Sequence, residues 1–186
     1  NNLASLYEER SDYVAAEPLY ERALAIRKKR LGAGHPDTAS TINNFAVFYV
    51  KQGNFAAAEP LIKEALASCE KELGADHPST ARCLNNLAAC YDELGRYANA
   101  EPLYRRALSN RKKTLKAEHP EVVSALNNLA LCCERQGSVA AAELLYKEAL
   151  EICEKVLRPD HPTARLVRGN YEVFNKQQGE NGRASS

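Results

Sequence analysis

The chain is 186 residues long, with 45% hydrophobic residues, 26% charged residues and a formal net charge of +1. That near-neutral balance gives no global field to draw it to nucleic acid or an anionic membrane surface, and no apolar run approaches the roughly 20 residues that span a bilayer. The six cysteines contain no CxxC pair and suit buried, reduced thiols in a cytoplasmic protein.

From the N-terminus onward the sequence repeats itself every 42 residues. Asn-Asn stands at Asn1-Asn2, Asn43-Asn44, Asn85-Asn86 and Asn127-Asn128, and His-Pro at His35-Pro36, His77-Pro78, His119-Pro120 and His161-Pro162. Self-similarity at a fixed period signals a solenoid, in which each unit buries its apolar face only against its neighbours. The expected units are about 1–34, 35–76, 77–118 and 119–160. Residue 1 already lies inside a repeat, so the sequence reads as a fragment, and a leader removed upstream stays open.

The second unit shows the local pattern best. Pro36 to about Lys51 places Ile42, Phe45, Ala46 and Tyr49 at helical spacing. Pro36 suits a first helical turn, where its missing N–H costs nothing. Gln52-Gly53-Asn54 breaks that helix, and a second runs from about Phe55 to Leu73 with Ala58, Leu61, Ile62, Ala65 and Leu66 on one stripe. Gly74 ends it. No alternating β-branched run occurs, so strands are not indicated. After the fourth unit, residues 161–178 read as a terminal capping helix, more polar than its sisters because one side faces water. Residues 179–186 offer almost nothing apolar and are expected to form a disordered tail.

Phe45-Ala46-x2-Tyr49, Leu87-Ala88-x2-Tyr91 and Leu3-Ala4-x2-Tyr7 match the first-helix signature of the tetratricopeptide repeat, with Leu129-Ala130-x2-Cys133 departing at the Tyr. Ala16-x3-Tyr20, Ala58-x3-Ile62, Ala100-x3-Tyr104 and Ala142-x3-Tyr146 match the second-helix signature. With eight extra residues per unit and the recurring Asn-Asn-Leu-Ala and Ala-Glu-Pro-Leu-Tyr strings, the chain resembles the kinesin light chain and nephrocystin type of repeat over about residues 1–174. The resemblance implies an all-α, right-handed superhelical solenoid of antiparallel helix pairs whose first helices line a concave groove. It also implies a non-enzymatic scaffold that binds an extended segment of a protein partner. The preference of kinesin light chains for an aromatic residue among acidic ones is not carried over, because the charges on this face are mixed.

The candidate binding residues follow from the repeat. Asn2, Asn44, Asn86 and Asn128 share one site on the first helices, and a side-chain amide there offers a donor and an acceptor to a peptide backbone. Either they meet a ligand or they bond to neighbouring helices; ligand contact is favoured for these second asparagines. For Asn1, Asn43, Asn85 and Asn127 the structural role is favoured, although the last three stay among the candidates. Val47, Ala89 and Leu131 lie three residues beyond the second asparagines and could form an apolar floor, or be covered by second helices. Lys51, Arg82 and Arg135 could meet acidic groups, with Glu8, Glu9, Asp92, Glu93 and Glu134 alongside.

The histidines occupy one connection per repeat and cannot gather on a single ion, so no metal site is expected. Neither a nucleophile with a spare His nor a Gly-rich phosphate loop occurs, so no catalytic residue and no cofactor is expected. Glu17, Glu59, Glu101 and Glu143 are periodic, hence structural or surface features. Basic runs at Arg27–Arg30 and Arg111–Lys113 favour helix C-termini and are interrupted in the sister units, which argues against a nucleic-acid partner. Two further readings stay open: a sensory or autoinhibitory module of a larger multidomain ATPase or motor-associated protein, and end-to-end self-association of the array. Cys90 and Cys132 share one repeat site and Cys69 and Cys153 another, but reduced thiols are favoured over a disulfide.

Overall fold

The computed structural model describes residues 2–158 and 160–184, so Asn1 lies outside the described residues. Nine α-helices occur among them and no strand: α1 (Asn2–Glu9), α2 (Tyr13–Leu31), α3 (Pro36–Lys51), α4 (Phe55–Leu73), α5 (Pro78–Glu93), α6 (Tyr97–Thr114), α7 (Pro120–Arg135), α8 (Val139–Val156) and α9 (Pro162–Ala184). They divide into two compact units, residues 1–96 with α1–α5 and residues 97–186 with α6–α9. The two helices expected in the second repeat, Pro36–Lys51 and Phe55–Leu73, have the bounds read from sequence.

The recurring connections explain where each helix starts. His35, His77 and His119 cap α3, α5 and α7, each Nδ1 accepting the backbone N–H two residues on at 3.1–3.2 Å. His161 does the same for Thr163. The imidazole thus satisfies one of the orphan donors of a helix start, and Pro at the next position has no N–H to orphan. Thr38 and Thr80 secure two of these turns by donating their buried hydroxyls to the carbonyls of Gly32 and Gly74. Within the hairpins, Asp12 and Asn54 cap α2 and α4 by accepting from Ala15 and Ala57.

The tight turn inside each hairpin needs one left-handed residue. Gly53, Gly95 and Gly137 supply it with φ of 71°, 70° and 83°. In the first repeat the same site holds Ser11 at φ 60°, a conformation that strains any residue with a Cβ.

Alanine columns set the helix spacing. Ala4, Ala46, Ala88 and Ala130 on the first helices, and Ala16, Ala58, Ala100 and Ala142 on the second, are all fully buried. Larger side chains fill the spaces that these small residues leave. In the first unit Tyr20, Phe45 and Phe48 interlock, with Tyr20 stacked on Phe45 at 5.5 Å between ring centroids. In the second unit Tyr146 packs on Phe174 at 5.5 Å and joins α8 to α9.

Tyrosine hydroxyls also tie neighbouring repeats together. Tyr49 donates to Glu17 at 2.6 Å and Tyr91 to Glu59 at 3.2 Å, the same pair one period apart. Glu17 and Glu59 are therefore tether points, whereas Glu101 and Glu143 pair with Arg105 and Lys147 on their own helices. Lys63, Tyr91 and Arg96 hold the Glu59 carboxyl below its ordinary range, Lys63 most strongly. Burial and the Glu17 carboxylate push Tyr49 up to about 12.

At the C-terminus, α9 continues to Ala184, past the Gln178 boundary expected from sequence. Lys176, Gln177, Gln178, Glu180 and Arg183 are good helix formers, and Gly179 and Gly182 cost about 1 kcal/mol each.

Candidate peptide-binding face

In the first unit the first helices meet around a concavity of about 450 Å³. α1 contributes Ser5, Glu8 and Glu9, α3 contributes Asn43, Asn44, Val47 and Lys51, and α5 contributes Arg82 and Asn86, with Tyr20 of α2 at its floor. Six residues proposed from sequence thus converge: Asn43, Asn44, Val47, Lys51, Arg82 and Asn86.

At two places the asparagines of the first and second positions take different parts. Asn43 is 2% exposed, and its Oδ1 accepts from Asn86 Nδ2 of the next first helix at 2.9 Å. In the second unit the arrangement recurs: Asn127 is 2% exposed and accepts from Asn170 Nδ2 at 2.8 Å. Asn43 and Asn127 are therefore buried acceptors that stitch first helices together. Asn86 and Asn170 each spend one of their two amide hydrogens on that stitch, which leaves the other, with the carbonyl oxygen, for further bonds. Asn44 is half-buried within the concavity, and Asn2 is exposed on α1. Asn85 and Asn128 are half-buried and each has a polar partner.

Charge on this face is balanced locally. Lys51 pairs with Glu8, whose side chain is only 8% exposed and also accepts from Tyr20 Oη at 2.7 Å. Burial, with the Glu8 carboxylate close by, pushes Tyr20 up to about 12, so the hydroxyl stays a donor. Arg82 is exposed and donates to Ser40 Oγ at 3.3 Å; among the described residues it has no carboxylate partner. It is the cation of this concavity open to a ligand.

In the second unit Asn128, Leu131 and Arg135 lie on α7, with Leu131 half-buried and Arg135 exposed. Leu166 and Val173 of α9 are 57% and 56% exposed, and sequence reasoning passed over both. The signal was present, because Val173 lies one full period beyond Leu131. Glu8 and Glu9 stand beside Lys51 as their sequence positions indicate, whereas Tyr20 was not among the expected lining residues, since nothing in the repeat pattern says that α2 reaches the face.

Among the described residues no group of three or more His, Cys, Asp or Glu is gathered for a metal, and no helix is long and apolar enough to cross a membrane.

Family models of the tetratricopeptide repeat match residues 1–37, 37–113, 93–155 and 121–184. The chain belongs to the tetratricopeptide repeat family. Among solved structures it is similar to a Podosopora anserina protein described as a kinesin light chain with nearly identical TPR-like repeats: 27% identity, 99% of this chain, 87% of that one and a TM-score of 0.85. BtubC (BKLC) from P. vanneervenii shares the fold at 24% identity and a TM-score of 0.77, covering 98% of this chain and 76% of that one. The apo form of RapI shares it at 18% identity and a TM-score of 0.73, covering 83% and 54%. A comparison with curated proteins gave no match. The repeats are thus of the kinesin light chain kind, and proteins with this repeat serve as scaffolds for protein partners.

Proposed function

We propose that this array is a non-enzymatic, cytoplasmic adaptor of the kinesin light chain kind that holds an extended segment of a partner protein against its first helices. The observation that carries the reading is the concavity of the first unit, where Asn44, Val47, Arg82 and Asn86 meet. Side-chain amides there match the donors and acceptors of an extended backbone without demanding a particular side chain. Val47 offers an apolar seat beside them, and Arg82 a charge for one acidic group on the partner. Because the fold fixes the frame and not the ligand, the partner's identity must come from the site.

A peptide-display selection against the purified array tests this. Asn44→Ala combined with Val47→Glu should weaken binding of the selected peptides at least tenfold while the helical circular dichroism stays unchanged. Unchanged affinity in a folded variant would refute the assignment.

A further inference from the structure

We propose that Cys69 and Cys83 form a dithiol that peroxide converts into an internal disulfide, and that this cross-link is transmitted to the binding face through Asn43. Cys69 of α4 and Cys83 of α5 are both buried, and their Sγ atoms stand 4.0 Å apart. A disulfide closes such a gap to about 2.05 Å. Closing it calls for rotation about the two Cα–Cβ bonds and a small approach of α4 and α5. Cys90 and Cys132 instead turn their thiols to the backbone carbonyls of Phe55 and Tyr97.

The chemistry balances with one hydrogen peroxide. One sulfur, as thiolate, attacks a peroxide oxygen; the O–O bond breaks, hydroxide leaves and a sulfenic acid forms. The second sulfur attacks the sulfenic sulfur, the S–S bond forms, and the departing hydroxide takes up a proton as water. Two thiols and one peroxide give one disulfide and two waters. Burial raises both thiols, Cys83 to about 12, so the thiolate is scarce at neutral pH. The pair therefore answers sustained peroxide, not a brief pulse.

The route to the face is a hydrogen-bond chain. Cys83 Sγ–H donates to Asn43 Oδ1 at 3.7 Å, and the same oxygen accepts from Asn86 Nδ2 at 2.9 Å. A disulfide has no S–H, so oxidation removes one donor from Asn43 and draws the Cys83 sulfur toward Cys69. This second half rests on the face proposed above; the cross-link itself does not.

The full chain is incubated with hydrogen peroxide under native conditions, blocked with N-ethylmaleimide and mapped by mass spectrometry. The dominant product should join the Cys69 and Cys83 peptides with loss of two hydrogens. Both cysteines staying reduced until urea is added, or indiscriminate pairing, overturns the proposal. In parallel, the side-chain amide resonances of Asn43 and Asn86 should shift on oxidation of the native chain and stay in place in Cys69→Ser treated alike; Cys69→Ala replaces it if Ser unfolds the core. A cross-link that leaves those resonances unmoved overturns the transmission. Failure of the display selection to yield any binder of the reduced array would instead count against the adaptor reading alone.

Discussion

Asn43→Ala should destabilise the array while Asn44→Ala should not, although the two positions are neighbours in sequence. Asn43 is buried, and its Oδ1 is the acceptor for Asn86 Nδ2 at 2.9 Å. Losing that bond costs about 1 kcal/mol. The void left by the truncated amide adds about 1 kcal/mol more, because packed neighbours relax only in part. The total of about 2 kcal/mol corresponds to a fall of about 4–8 °C in the thermal midpoint for a cooperative chain of this size. Asn44 is half-buried at the concavity, so its replacement should stay within about 0.5 kcal/mol. Thermal and urea unfolding followed by circular dichroism measures both. A double-mutant cycle over Asn43→Ala and Asn86→Ala should return about 1 kcal/mol of coupling, since the two share one bond. Equal losses from Asn43→Ala and Asn44→Ala, or a coupling near zero, would refute the division of labour between the paired asparagines.

Ser11→Gly should raise stability by about 0.5–1 kcal/mol, because glycine releases the left-handed strain at φ 60° but adds unfolded-state entropy; a lower urea midpoint would count against it. Gly53→Ala, at φ 71°, should lose about 1 kcal/mol by the same logic. His119→Ala should cost about 1 kcal/mol through the lost N-cap and speed hydrogen exchange at the Glu121 amide, whose partner is His119 Nδ1. Alkaline pH should destabilise the chain. Tyr20 and Tyr49 are raised to about 12 in the folded state, so from about pH 10 to 12 the unfolded chain releases protons that the native one retains, and stability falls as pH rises. Tyr20→Phe should flatten that fall in urea midpoints taken across this window, and an unchanged slope would show that its hydroxyl is not responsible.

Much of the frame was legible because the period repeats every physical cue at once. Pro36, Gly53 and Gly74 punctuate the second repeat, and the helix bounds follow from them. The histidines were read as loop residues before a proline; that their Nδ1 atoms cap the helices depends on backbone geometry that spacing alone does not reveal. The paired asparagines were recognised as a ladder, but the bond runs from the second asparagine of one repeat to the first of its neighbour. That offset appears only when adjacent first helices are laid side by side. Val173 lies beyond the last complete repeat, where the paired asparagines no longer mark the register, though it stands one period after Leu131.

Where Tyr49 and Tyr91 reach across to Glu17 and Glu59, the next repeat has Cys133, too short to reach Glu101, which bonds Arg105 on its own helix instead. The α6–α7 seam thereby lacks the tyrosine tie of its counterparts, and what crosses it instead is the Arg111–Glu121 ion pair and the Cys132 thiol on the Tyr97 carbonyl. Added salt, by screening the exposed Glu121 end of that ion pair, should therefore loosen this seam.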